Sequence, residues 1–305
     1  MQDDTPYDPS SLAVPDELDS GAHGVGGLVL VSTPIGNLRD VTIRALDTLR
    51  EAELVLCEDT RTTAKLLSAH GIGVRCEPLH EHNEDARIPG LLERLARGAR
   101  IALVSDAGTP LVSDPGYRLV RAAIAAGVRV SAAPGVNAAV MALTLSGLPP
   151  HPFLFLGFAP VRGAARVAHF KGLRAAEQAG LAATLVWYEA PHRLAEMLAD
   201  AAEVFGGREA AVARELTKRF EEVRRGDLVG LAEWYGAHRA LGEIVVVVAP
   251  GEVSATEAGE VDRLLEAALA TMSVKDAAAA VAGATGVARK LVYARALELK
   301  GGVLG

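Results

Sequence analysis

Residues 103–117 read LVSDAGTPLVSDPGY: the end of a short apolar run, Ile101 to Val104, passes without helical period into a cluster of turn formers, Asp106, Gly108, Pro110, Asp114, Pro115 and Gly116. This predicts a buried strand running into a loop, with helix resuming after Pro115. Such a loop belongs at the end of a parallel strand, the edge of an open α/β sheet where ligands bind. Gly108 lets backbone approach a ligand, and the two prolines stiffen the flanks. A surface connection is the plain alternative, but two aspartates in a stiff loop exceed what a connection needs.

The same pattern recurs upstream. Apolar runs at 28–32, 54–57 and 74–79 end in Thr33-Pro34-Ile35-Gly36-Asn37, Glu58-Asp59-Thr60-Arg61 and His80-Glu81-His82-Asn83-Glu84. Helical spacing separates them, with Thr42 as an expected N-cap and His70-Gly71 as an expected stop. A helix at 117–127, a strand at 128–132, the turn Pro134-Gly135 and a helix at 137–146 follow. Strict βα alternation predicts a parallel, doubly wound α/β domain over 27–147. Three prolines at 149, 150 and 152 mark a boundary. A second α/β domain is expected over 153–250, with a mixed sheet, because strand-like stretches around Ala213 and Val223 follow one another without a helix. A helical C-terminal extension, divided at Ser273 and Gly286, is expected over 255–305.

Length and composition agree with a large folded chain: 305 residues, half of them apolar, favour two domains over one. No apolar run approaches the roughly 20 residues of a membrane helix, so no membrane partner is expected. Residues 1–26 carry six carboxylates and no Lys or Arg, which predicts a disordered acidic tail. Without those six the formal charge rises from −7 to −1, so the acidity of the whole chain says little against an RNA partner. Cys57 and Cys76 form no CxxC pattern, so neither a disulfide framework nor a zinc site is expected and a reducing cytoplasm fits. His80 and His82 stand two apart on a loop, weak spacing for a metal, and no metal is expected. GxxxxGK[ST], GxSxG, HExxH and a GxGxxG after the first strand are absent from the sequence.

In order, STPIGNL, CEDTR, LHEHNE, LVSDAGTPLVSDPGY, PGVNA, YEAPHR and ARELTK resemble the motifs of the ribosomal small-subunit RNA cytidine 2'-O-methyltransferases, within the tetrapyrrole methylase superfamily. The resemblance runs from about residue 28 to 248, more weakly to the C-terminus. It implies a two-domain enzyme that binds S-adenosyl-L-methionine in the cleft between its domains, acts on a cytidine of 16S rRNA in the small ribosomal subunit, and forms a homodimer. Carried over residue by residue, it implies cofactor contacts at Pro34, Gly36, Asp106, Ala107, Gly108, Pro110, Asn137 and Tyr188. Ser32 stands where relatives often have Pro ahead of Thr, and Val136-Asn137 is a variable turn.

Methyl transfer to a ribose hydroxyl is an in-line displacement, so alignment and a general base are what a protein can supply. The strand-end carboxylates Glu58, Asp59, Glu189 and Glu215 are candidate bases. Arg61, His192, Arg193, Arg214 and Lys218 are candidate holders of RNA phosphates. For each, an ordinary solvated loop residue or a structural ion pair is the competing account. Two rival functions remain: a methylase acting on a corrinoid or porphyrin precursor, and a non-catalytic ribosome-assembly factor that binds RNA.

Overall fold

A computed structural model describes residues 26–251, 255–285, 287 and 289–302. The acidic stretch 1–25 and the expected helix break at Gly286 lie outside the described residues. The chain divides into two compact units, one built of residues up to Pro34 and from Leu38 to Val136, the other of Ile35–Asn37 and residues from Asn137 onward.

In the first unit the strands β1 (Gly27–Val31), β2 (Leu54–Cys57), β3 (Cys76–Pro78), β4 (Arg100–Val104) and β5 (Val130–Ala133) form one sheet in the order β3-β2-β4-β1-β5. Every pairing is parallel. The helices α1 (Ile43–Glu51), α2 (Thr60–Ala69), α3 (Glu84–Ala96) and α4 (Tyr117–Ala125) connect them. Alternation along the strands explains the two faces. Val31, Val55, Cys57, Ala102 and Val104 pack with Leu49, Leu66 and Leu67 of α1 and α2, while Leu28, Leu54, Leu56, Ile101 and Leu103 pack with Leu91, Leu95 and Leu119 of α3 and α4. Each fully buried Leu contributes about 1.5–3 kcal/mol relative to exposure, which holds this wound sheet against chain entropy.

The second unit has a five-stranded mixed sheet of β6 (Phe153–Phe158), β7 (Thr184–Glu189), β8 (Glu209–Arg214), β9 (Glu222–Asp227) and β10 (Ile244–Val248), in the order β6-β7-β10-β8-β9. β6 and β7 are parallel and the other pairings antiparallel; Ala213 faces Val223 in the β8–β9 pair, as expected. Phe170 from α6 (Gly163–Gln178), Met197 and Leu198 from α7 (Leu194–Phe205), and Leu231 from α8 (Leu228–Ala237) cover one face around Trp187 and Val246.

Two features differ from expectation. α5 (Ala138–Ser146), which chain order places with the first sheet, packs instead on β7, β8, β9 and β10 of the second. Ala139, Ala142 and Leu143 of α5 are buried, and Arg225 on β9 donates from Nε to Ser146 O at 3.0 Å. α8 was not expected at all; Asp227 starts it by accepting from Gly230 N at 2.9 Å.

The C-terminal helices are α9 (Ala255–Leu269), α10 (Val274–Thr285) and α11 (Arg289–Gly302). Their core joins Val261 and Leu265, Ala277, Ala278 and Val281, and Val292 and Ala296. No helix among the described residues is long and apolar enough to cross a membrane.

Candidate functional site

In the first unit the parallel strands bring the loops after β1, β2, β3 and β4 to one sheet edge, and backbone bonds knit them. Thr33 and Gly108 form an isolated antiparallel bridge, each N–H donating to the other's carbonyl at 2.9 and 3.0 Å. The Ser105 hydroxyl donates to Gly108 O at 2.7 Å, and the Thr33 hydroxyl to Ser105 O at 3.1 Å. Asp106 Oδ1 accepts from Asp59 N at 3.0 Å, tying the β2 loop to the β4 loop. Gly108 has φ of 83°, a conformation that favours glycine, and Leu111 and Ser113 take φ of 71° and 70°. Such strain persists only where the surroundings over-determine it, and it gathers at functional loops. Pro34, Gly108 and Pro110 are buried, Asp106 is half-buried and Ala107 is exposed.

The β3 loop plays a building role. Asn83 Oδ1 accepts from His80 N at 2.9 Å, and the buried Glu84 carboxylate accepts from Leu119 N at 2.8 Å. That bond caps α4, whose own N-cap is Gly116 and supplies no side chain. Among the described residues no three His, Cys, Asp or Glu side chains gather as a metal-binding group.

The four candidate bases sit in different electrostatic settings. Asp59 is the N-cap of α2, accepting from Arg61 N at 2.8 Å and from the Arg61 guanidinium. The Arg61 side chain, then its backbone N–H, hold the Asp59 carboxyl down to about 2. Glu58 is exposed and makes no ion pair among the described residues. Next to it Asp114, to which sequence reasoning gave no separate role, is pushed up to about 6, first by burial and then by the charges of Glu58 and Asp106. The signal for Asp114 was available in its place between two turn residues, but only folding brings the three carboxylates together.

In the second unit Glu189, at the end of β7, is buried and raised above the usual carboxylate range by burial, against the opposing pull of Ala190 N–H and Arg193. Arg193 Nη2 donates to Glu189 Oε2 at 3.1 Å and also to Ala159 O. Its donors therefore turn inward, whereas His192 beside it is exposed. Tyr188 packs edge-on to Phe155 and Phe158, with ring centroids 4.8 and 5.7 Å away. Asn137 caps α5 by accepting from Val140 N at 3.2 Å.

Around Glu215 the chain is strained and heavily tied. Glu215 and Thr217 take φ of 50° and 66°. Lys218 Nζ donates to Glu215 Oε1 at 2.9 Å and Glu243 Oε2 at 3.1 Å, and the Lys218 bond leads in lowering the Glu215 pKa. Arg214 Nε donates to Glu222 Oε2 at 2.6 Å, and Glu222 Oε1 accepts from Arg224, which lies over Trp234. Thr217 Oγ1 accepts from Asn37 N at 3.0 Å, and a Cβ on Gly36 would stand 2.4 Å from Lys218 Cγ. Thr217 thus fastens the Ile35–Asn37 segment, a role that residue type alone does not signal.

The family model for Tetrapyrrole (Corrin/Porphyrin) Methylases matches residues 27–232. The chain belongs to the tetrapyrrole methylase family. A second model, an RsmI C-terminal HTH domain, matches residues 255–300. Proteins named Ribosomal RNA small subunit methyltransferase I resemble this methylase along nearly its whole length. The one from Mesorhizobium japonicum is 50% identical over 90% of this chain and 92% of its own, and that from Pseudomonas aeruginosa 44% over 90% and 98%. The Escherichia coli O157:H7 relative is 42% identical over 92% and 98%. Among solved structures, the methyltransferase CobJ superposes with a TM-score of 0.55 at 21% identity, covering 74% of this chain and 94% of its own. Diphthine synthase gives 0.54 at 16% identity, covering 73% and 89%, so both share the fold.

Proposed function

We propose that this methylase transfers a methyl group from S-adenosyl-L-methionine to the ribose 2'-hydroxyl of a cytidine in 16S rRNA of the small ribosomal subunit, acting as a cytoplasmic homodimer. The observation that carries this reading is the near full-length likeness to small-subunit rRNA methyltransferases, which spans both the methylase segment and the C-terminal helices. A corrinoid or porphyrin substrate would leave the second match without a purpose.

The first unit fits the cofactor chemically. Its sheet edge carries a left-handed glycine, Gly108, whose own N–H and carbonyl are spent on Thr33 and Ser105, so that the loop from Asp106 to Pro110 is fixed in place before any ligand arrives. On this unit Pro34 and the loop from Asp106 to Pro110 are read as cofactor contacts. On the second, Gly36, Asn137 and Tyr188 carry the same reading. Bound S-adenosyl-L-methionine supplies the electrophilic methyl. The chain's own part is to align the hydroxyl, worth about 7–11 kcal/mol in well-oriented cases, and to take its proton. Among the described residues Glu58 makes no ion pair, whereas Asp59, Glu189 and Glu215 are each engaged by a cation. Arg61, His192, Arg214 and Lys218 remain proposed phosphate contacts.

Mapping ribose methylation of small-subunit rRNA by mass spectrometry, from cells with and without the protein, tests the proposal. Loss of one cytidine mark on deletion, restored by the parental gene, is expected; an unchanged methylation map would sink it.

A further inference from the structure

β6 carries an irregularity beside Tyr188. Phe153, Leu154 and Phe155 pair in step with Thr184, Leu185 and Val186 of β7, a register that would set Gly157 against Tyr188. The register shifts before that point, and Phe158 stands against Tyr188 instead. One extra residue has entered β6, and Gly157 takes φ of 65° there. Leu154 and Leu156 pack on the core around Trp187, so alternation gives Phe155 the other face, where an unshifted strand would next present Gly157. The bulge puts a second ring in that place. Phe155 and Phe158 both meet Tyr188 edge-on. Phe155 is half-buried, whereas Phe158 is 55% exposed and adds little to the core. Bulges gather beside active sites, where they re-aim a side chain.

The segment after Phe158 is held by two arginines. Arg193 Nη2 donates to Ala159 O, and Arg166 Nη1 donates to Val161 O at 3.4 Å. Both guanidiniums are themselves anchored, Arg193 on Glu189 and the buried Arg166 on Asp200 at 2.6 Å. Arg162 is exposed, and its side chain makes no hydrogen bond or ion pair among the described residues. β6 and β7 are parallel, so the loops that follow them leave from one edge, and the second of these brings the exposed His192. Neither 159–162 nor 190–193 contains a carboxylate. A fixed, exposed ring in the company of basic side chains suits an unstacked base joined to phosphate, since aromatic faces take bases and cations take the backbone.

We propose that Phe158 is the platform on which the base of the acceptor nucleotide stacks while its ribose is presented to the methyl donor, with Arg162 on an adjoining backbone phosphate. This rests on the rRNA methyltransferase reading. There Tyr188 contacts the cofactor, and Phe158 is the exposed ring set against it, 5.7 Å away between centroids.

The test uses the full chain and small subunits from cells lacking the protein. Single-turnover methylation at saturating subunits is measured for the parent, Phe158→Ala, Phe158→Leu and Phe158→Tyr, with calorimetric S-adenosyl-L-methionine affinity, solution mass and circular dichroism as controls. Phe158→Ala and Phe158→Leu are expected to slow transfer about tenfold or more through the loss of one base stack, because leucine keeps the bulk but not the π face. Phe158→Tyr keeps that face and is expected to recover most of the rate. Cofactor affinity, mass and helix content stay at parental values. Arg162→Gln is expected to lower subunit affinity, with the slope of log K against log salt shallower by about 0.7 for one phosphate of a single strand. A parental rate in Phe158→Leu reduces the ring to apolar filling and overturns the stacking. Weaker cofactor binding in Phe158→Ala gives the ring to the cofactor, and a changed solution mass gives it to a second copy of the chain; either result overturns the base as its occupant. An unchanged salt slope in Arg162→Gln overturns the phosphate contact. Parental rates in all three Phe158 variants overturn the platform and leave the activity standing, whereas a parent that fails to methylate subunits overturns the activity and the platform together.

Discussion

The Arg193 guanidinium closes on the buried Glu189 carboxylate at the junction of β7 and α7: Nη2 donates to Oε2 at 3.1 Å, and Nε stands 3.1 Å from Oε1 without the alignment of a hydrogen bond. The i,i+4 spacing lets one side chain neutralise the strand end while also bonding Ala159 O. From sequence, Arg193 is a candidate phosphate contact; inside the second unit it is the counter-charge that allows Glu189 to be buried.

Arg193→Ala is therefore expected to act on stability before RNA. Removing one partner of a buried pair leaves an uncompensated charge, a loss of about 3–5 kcal/mol. Protonation relieves an unpaired carboxylate, so the penalty should shrink as pH falls toward 5. Denaturant melts at pH 5 and pH 7.5 would show this. A stable variant with weaker RNA binding would return Arg193 to the phosphate role.

Asp114 carries a pH signature of its own. Its folded pKa, about 6, lies above the ordinary value of 3.8. The folded state thus binds the proton more tightly, and the stability this contributes is present below about pH 4 and lost as pH rises through 6. Asp114→Asn, a neutral isostere, should match the parent in stability near pH 4 and exceed it above pH 6.5. After allowance for solvent around a half-buried group, the gap is about 1–2 kcal/mol. Parallel stability curves for the two proteins would contradict the clustering of Glu58, Asp106 and Asp114.

Much of the first unit is legible in sequence because its strands are short apolar runs that end in turn chemistry. The same turn residues point to Gly108 and the Glu58 loop. α5 misleads because AAVMALTLS is apolar nearly all round, so its period does not say which sheet it covers. α8 hides because LVGLAEWYGA carries two glycines and little contrast between faces. The pairing of Glu189 with Arg193 has an i,i+4 signal, yet the same spacing occurs on solvated helices; burial of the strand end decides it, and burial depends on the whole second sheet.

Thr217 gives a test of the strained loop. Thr217→Val keeps the branched side chain and its φ of 66° but removes the oxygen that accepts from Asn37 N. A loss of about 0.5–1.5 kcal/mol is expected in the anchoring of Ile35–Asn37. If Gly36 touches the cofactor, S-adenosyl-L-methionine should bind several-fold more weakly to Thr217→Val and normally to Thr217→Ser. Equal calorimetric affinities for Val, Ser and parent would detach this anchor from cofactor binding.

Gly108 needs a variant that separates strain from occlusion. Val at φ of 83° would be strained whatever it touched, so loss of binding in Gly108→Val would prove little. Asn tolerates left-handed backbone better and still adds a side chain at the loop. Gly108→Asn is expected to melt within a few degrees of the parent and to lose tenfold or more in cofactor affinity. Retained affinity would remove this loop from the cofactor site.

Glu58 and Asp59 are neighbours on the β2 loop with opposite constraints, and their amides should behave differently. Asp59 is clamped by Arg61 and by the first turn of α2; held at about 2, its carboxylate is a weak proton acceptor at neutral pH. Asp59→Asn should therefore keep most of its methylation rate while weakening the start of α2 and freeing Arg61. Glu58 has no such partner among the described residues, and it borders Asp114, whose own ionisation it opposes. Glu58→Gln preserves shape and removes the acceptor, so kcat should fall about 100-fold or more with cofactor and RNA affinity retained. Single-turnover methylation of small subunits separates these outcomes. A parental rate for Glu58→Gln would move the search for the base to Glu215, where Lys218→Met would first have to release the carboxylate, since Glu189 is buried beneath Arg193.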